Sequence, residues 1–316
     1  MVEHVLITGG AGFIGSNLVD YINLHSPGIQ VTVFDDLSTG LASNLSGSQC
    51  ELIEDTILNY PALVRATQKV DSIVHLGAIG SVSRSIAMPR PSHEANSSGT
   101  LNVVEAAREN GVEHVVVASS SSVYGSNPSM PKNELDWTRP LSPYAASKLA
   151  TESYALAYGF SYGMKTLAMR FFNVYGPRQR ADHDYAAVIP RFIDAALSGS
   201  PLVVYGDGEQ SRDFTYVESV CAALFDSCVR QVNNNQPINL AFGSNATLLE
   251  LIDILSNQLN RPLPVNHEPP RVGDVRASQA DSSSLRELFP AIQPVELEIG
   301  VRRTLDWFLG KLGGSD

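Results

Sequence analysis

The chain has 316 residues, 43% of them hydrophobic and 17% charged, which suits one large or two ordinary folded domains and excludes a disordered or fibrous chain. Its 22 basic against 33 acidic residues give a net charge of −11, so nonspecific attraction to nucleic acid or anionic lipid is excluded and any anionic ligand needs a local basic site. The basic side chains are 17 arginines and only 5 lysines, which favours guanidinium recognition and singles out each lysine for inspection.

The first apolar run, residues 4–8, follows neither a basic leader nor a long apolar stretch. No signal peptide, membrane span or membrane partner is expected, and a cytoplasmic location is. Further short apolar runs at 30–34, 72–75, 114–119 and 165–170 alternate with helix-period segments at 13–24, 98–109 and 144–160. Strand alternating with helix predicts an α/β fold of Rossmann type, a doubly wound parallel sheet. The last of these helices should begin at Ser142 as N-cap with Pro143 in its first turn. After about residue 173 the pattern turns rich in Gly, Pro and Arg, with helical stretches such as 248–259, predicting a smaller C-terminal α/β domain. The division expected is 1–172 and 173–316, with a segment near 212–242 returning to the N-terminal domain. Cys50, Cys221 and Cys228 form neither an even framework nor a C-x-x-C pair, in keeping with a reducing compartment, and the histidines show no metal-ligand spacing.

Directly after the first strand stands Gly9-Gly10-Ala11-Gly12-Phe13-Ile14-Gly15, opening a helix. Gly9 permits a tight turn, Gly12 lets a pyrophosphate approach the helix N-terminus and Gly15 lets that helix pack on the sheet. Asp35 closes the second strand 20 residues after Gly15, where a carboxylate accepts from an adenosine ribose and repels a 2′-phosphate. NAD is therefore the expected cofactor, rather than NADP.

Tyr144 and Lys148 stand four apart on one helix face, and an adjacent ammonium favours the phenolate that a tyrosine general base needs. The run Ser119-Ser120-Ser121-Ser122 puts hydroxyls at the carboxyl end of the sheet, where open α/β folds bind ligands.

These segments, with the later motifs R-F-F-N-V-Y-G at 170–176, Y-G-D-G-E-Q-S-R-D-F-T-Y-V at 205–217 and R-V-G-D-V-R-A-S-Q-A-D at 271–281, resemble the extended short-chain dehydrogenase/reductase family. Within it they are similar to the NAD-dependent UDP-sugar 4-epimerases. The resemblance implies that Tyr144 is the base on the sugar 4-hydroxyl, Lys148 holds the nicotinamide ribose and tunes Tyr144, and Ser120, with Ser121 beside it, binds the 4-oxygen. It implies diphosphate recognition by Asn173, Arg212 and Arg271, a uridine ribose contact at Asp274, and a two-fold homodimer through helices rich in alanine. Where relatives commonly carry Gly-Asp-Ile after the third strand this chain has Asp55-Thr56-Ile57, so the adenine contact passes to Thr56 or to backbone, with Ile57 also on the cofactor side.

The serines at 121 and 122 replace the acidic residue carried by dehydratases and decarboxylases of the family, which favours simple oxidation and reduction at one carbon. Ser278, where hexose-restricted relatives tend to carry an aromatic, together with Gly80, Ser81 and Gln179, points to a UDP-N-acetylhexosamine. UDP-glucose and UDP-glucuronate remain alternatives, with Arg84 available to a carboxylate. A non-catalytic NAD-binding sensor of this fold would be expected to have lost the Tyr/Lys pair, which is intact here.

Overall fold

The computed structural model describes residues 2–182, 186–270 and 276–313. Seven parallel strands form the central sheet: β1 (His4–Thr8), β2 (Gln30–Asp35), β3 (Glu51–Glu54), β4 (Ser72–His75), β5 (His114–Ser120), β6 (Lys165–Phe171) and β7 (Ile238–Leu240), in the spatial order β7-β6-β5-β4-β1-β2-β3. The predicted α/β class holds. Alternation along each strand feeds two cores: Val5, Ile7 and Val116 face one layer, while Leu6, Val115 and Val117 face the other. All six are fully buried, and each such side chain contributes roughly 1.5–3 kcal/mol relative to exposure.

The first layer holds the helices Phe13–His25 and Val217–Arg230, which pack on each other through Leu18, Ile22, Val220 and Leu224. The second holds Tyr60–Ala66, Gly99–Glu109 and Pro143–Tyr162, contributing Leu63, Val103, Val104, Ala107 and Ala155. Ser142 caps the last of these as predicted, its hydroxyl accepting the Ala145 N–H at 3.1 Å, and Gly163 in the left-handed region ends it. Smaller pairings build the C-terminal part, among them Leu202–Tyr205 with Val265–Glu268 and Ser211–Arg212 with both Ala246–Thr247 and Ala277–Ser278. A reciprocal capping box between Thr247 and Glu250 starts its helix Leu248–Leu259. Cys221 and Cys228 are buried in the first core, and among the described residues no helix is long and apolar enough to cross a membrane.

Chain direction fixes where a ligand can sit. From β1 the chain runs outward to β2 and β3, then returns on the other side of β1 as β4, so the carboxyl ends of β1 and β4 diverge into a crevice. Thr8 and His75 end those strands in register, and the Thr8 hydroxyl meets His75 Nδ1 at 2.7 Å. Burial pushes the His75 imidazole down to about 3 and that of His114 down to about 4, so both are neutral at physiological pH.

Below pH 6.5 an unfolded chain protonates these two histidines while the folded one refuses the protons, so stability falls as the pH is lowered. Asp213, pushed up to about 6 mainly by burial, works the other way by taking a proton in the folded state first. Two protons against one leave a net loss of about 1.4 kcal/mol per pH unit between pH 6 and 4 from these three groups. Urea unfolding across that range checks it: the slope should steepen in Asp213→Asn, and a flat profile would contradict the assignment.

Candidate active site

The β1 turn and the helix after it form one end of a cavity of about 850 Å³. Gly9 has φ +71°, and a side chain there would meet the backbone of Gly77 at 2.7 Å. A Cβ at Gly15 would lie 2.4 Å from the Gly9 carbonyl, so only glycine lets this helix reach the turn. Gly12 differs: its missing Cβ would meet only the Gly9 oxygen at 3.2 Å, leaving its outer side open, and no side chain caps the helix Phe13–His25. Uncapped N–H groups beside an open glycine are the donor set a pyrophosphate requires. Asp35 faces the same cavity, its carboxylate braced by the Ala11 and Leu37 N–H groups at 2.9 and 2.8 Å. Burial raises its pKa, the two backbone donors work against that, and each oxygen keeps a lone pair for a ribose hydroxyl. The residues present therefore fit NAD. Phe13, Ile14, Thr56 and Ile57 line this cavity too, and the Asp55 carboxylate is engaged by the Thr56 N–H and the Asn59 amide.

The other end carries Ser120, Ser121, Ser122, Tyr144, Lys148, Ser81 and Gln179. Lys148 Nζ donates to the Ala118 carbonyl at 2.9 Å, and burial pushes its pKa down to about 8. Burial raises the pKa of the Tyr144 phenol, and a hydrogen bond with Ser120 works against that rise. Ser81 caps the short helix Val82–Ala87 from a left-handed backbone, φ +102°.

Asn173 lines both this cavity and a smaller one of about 260 Å³, where Arg212, Tyr205 and Gln210 also stand. Its amide donates to the Asp213 carbonyl at 3.2 Å, and the Arg212 guanidinium donates to the Ser211 carbonyl at 2.8 Å. The structure does not bring Ser278 to either cavity among the described residues: it pairs in register with Arg212, and its carbonyl accepts the Asp213 N–H. Arg271 and Asp274 lie outside the described residues. No group of His, Cys, Asp and Glu able to hold a metal occurs among those described.

Asn96 and Glu152 also hold the site. Asn96 sits in a π-helical turn, Glu94–Ser98. Its side chain accepts the Ile79 N–H at 2.7 Å and donates to the Ile79 carbonyl and the Ser147 hydroxyl at 3.1 and 2.9 Å. It thereby ties the cavity-lining segment at 79 to the helix that carries Tyr144. Glu152, one turn beyond Lys148, forms a buried two-point pair with Arg170 at 2.8 and 3.0 Å and accepts the Ser119 hydroxyl at 2.7 Å. Only the helical spacing of Glu152 from Lys148 hints at this in the sequence.

The family model for the NAD dependent epimerase/dehydratase family matches residues 5–241. The chain belongs to this family. It is an NAD-dependent isomerase, with NAD as cofactor. A solved UDP-N-acetylglucosamine 4-epimerase from Methanobrevibacter ruminantium, in complex with UDP-N-acetylmuramic acid, is 38% identical with a TM-score of 0.92, over 98% of this chain and 99% of that one. A UDP-glucose 4-epimerase of Mycolicibacterium smegmatis is 36% identical over 97% of this chain and 98% of its own. The UDP-glucuronic acid 4-epimerase of Bacillus cereus, solved with UDP-glucuronic acid and NAD, is 28% identical with a TM-score of 0.88, over 98% of this chain and 99% of that one.

Nucleotide released by denaturing the purified protein should chromatograph as NAD. Stoichiometric NADP would contradict the reading of Asp35, whose carboxylate repels a 2′-phosphate.

Proposed function

We propose that the protein interconverts the C4 epimers of a UDP-N-acetylhexosamine through a transient 4-keto sugar. The observation that carries this reading is Tyr144, Lys148 and Ser120 at one end of a cavity whose other end is the Gly9–Gly15 turn and Asp35. NAD, when bound, supplies a hydride acceptor and donor at its nicotinamide. Tyr144 takes the proton from the 4-hydroxyl and later returns it, while Ser120 donates a hydrogen bond to the 4-oxygen. Lys148 sets positive charge one turn below the phenol. Asn173 and Arg212, where the two cavities meet, hold the diphosphate by charge-assisted and amide hydrogen bonds, which resolves anion binding in a protein of net charge −11. The uridine then extends into the 260 Å³ cavity.

The N-acetylated substrate is favoured by the small residues Gly80, Ser81, Ser121 and Ser122 that line the cavity beside Tyr144. The 38% identity to a UDP-N-acetylglucosamine 4-epimerase supports the same choice. Incubation with UDP-N-acetylglucosamine, UDP-glucose and UDP-glucuronate, without added cofactor, followed by separation of C4 epimers, tests it: the first should turn over fastest. Tyr144→Phe should cost on the order of 10²- to 10⁴-fold in turnover with little change in substrate affinity. Near-normal turnover in that variant would remove the base assignment.

We also propose a two-fold homodimer through the helices Gly99–Glu109 and Pro143–Tyr162. The second carries Phe160, which is 95% exposed, with Tyr154 and Tyr162 also open to solvent, apolar surface that a partner would cover. Light scattering should give twice the 34.1 kDa chain mass, and a monomer at micromolar concentration would count against it.

A further inference from the structure

Ser120 ends β5, and the chain turns at once into the short helical segment Ser121–Tyr124. That turn brings Ser122 back onto Ser120 in two ways. The Ser122 N–H donates to Ser120 Oγ at 3.2 Å, and the Ser122 hydroxyl donates to the same oxygen at 2.9 Å. A serine hydroxyl has two acceptor lone pairs and one proton to give. With both lone pairs filled from Ser122, Ser120 has no capacity left to accept and can act only as a donor.

From this geometry we infer that Ser122 is a positioning residue that fixes the polarity of Ser120, so that the Ser120 proton is always presented toward Tyr144 and the reacting oxygen. Without the Ser122 hydroxyl, Ser120 regains a free lone pair and can turn to accept from the neutral phenol, the opposite polarity. A donor at Ser120 stabilises the phenolate, whereas an acceptor there stabilises the neutral phenol. Ser120 does pull the Tyr144 pKa down against the rise caused by burial. The other ionisable groups around the cavity remain unchanged in the test: Lys148 on the tyrosine's own helix, Glu94 from the turn packed against that helix, and Asp35, Asp36 and Asp55 at the far end. The link to catalysis rests on the proposed role of Tyr144 as base, but the hydrogen-bond polarity does not.

The test has two readouts on the full protein. Ultraviolet difference titration near 295 nm, subtracting the Tyr144→Phe variant, isolates the ionisation of this phenol. It should move up by about one pH unit in Ser122→Ala and return toward the parent value in Ser122→Thr, which keeps the hydroxyl. The acid limb of kcat/KM for the UDP-sugar should move with it, giving about a tenfold loss on that limb and little loss at higher pH. An unchanged phenol titration in Ser122→Ala overturns the proposal, as does an equal shift in the Ala and Thr variants. A shifted titration in a protein that epimerises no UDP-sugar upholds the role of Ser122 and removes only the functional reading.

Discussion

A single neutral imidazole ties the two sides of the crevice together. His75 has no room to be charged, because its Nδ1 accepts the Thr8 proton while its Nε2–H donates to the Thr100 hydroxyl at 2.9 Å. Thr8 in turn accepts the Gly77 N–H, and Thr100 donates to the Asn96 carbonyl at 2.5 Å. Thr8 and Thr100 are fully buried and His75 almost so, and an unmet donor or acceptor at that depth costs about 1–3 kcal/mol. One tautomer satisfies every link, and an imidazolium would turn Nδ1 into a donor and leave the buried Thr8 proton without the acceptor it has here. The same Asn96 carbonyl also accepts the Thr151 hydroxyl from the helix that carries Tyr144 at 2.9 Å. The chain thus runs from the glycine-turn strand through β4 and the π-helical turn to the helix of Tyr144, and the two ends of the cavity cannot move independently without breaking it.

One turn beyond Lys148 that helix is held by charge instead. The Glu152 carboxylate takes two guanidinium bonds from Arg170 on β6 and the hydroxyl of Ser119 on β5, and the Arg170 guanidinium lies 4.7 Å over the Tyr124 ring. Burial makes such a pair a weak source of net stability, yet removing one partner leaves an unpaired buried charge costing about 3–5 kcal/mol. Its structural consequence is directional: it fixes Ser119, hence the end of β5, hence the place where Ser120 enters the site. Neutral hydrogen bonds at Ser147 and Thr151 flank Tyr144 and Lys148 on one side and the Glu152 ion pair flanks them on the other.

Much of this was legible because it depends on local pattern. Alternating apolar residues gave the strands, Ser142 with Pro143 gave a helix start, and the glycine spacing with Asp35 pointed to residues that line one cavity. Other features depend on tertiary context. β3 is a four-residue edge strand with exposed glutamates at both ends, and β7 has three residues, too short for a periodicity to emerge. Spacing put Tyr144 and Lys148 on one helix face, but only the fold shows that the Lys148 ammonium also donates to the Ala118 carbonyl and that Ser120 acts on the phenol. Ser278 was reached through likeness alone, and its backbone, not its hydroxyl, makes the bond seen to Asp213.

Asp213 explains how the C-terminal part stays registered on the Rossmann part. Its fully buried carboxylate accepts the Gly243 and Ala280 N–H groups, each at 3.1 Å, and the Ser244 hydroxyl at 3.0 Å, so three separate segments converge on one side chain. Its own backbone bonds outward, the carbonyl to the Asn173 amide and the N–H to the Ser278 carbonyl. Asn173 adopts φ +34° just after β6, and Arg212 directly precedes Asp213. A carboxylate held by three donors therefore anchors Asn173, which lines both cavities, and Arg212, which lines the smaller one. Asp213 thus spends its charge inward, on the backbone and hydroxyl donors of three segments, rather than toward the cavities.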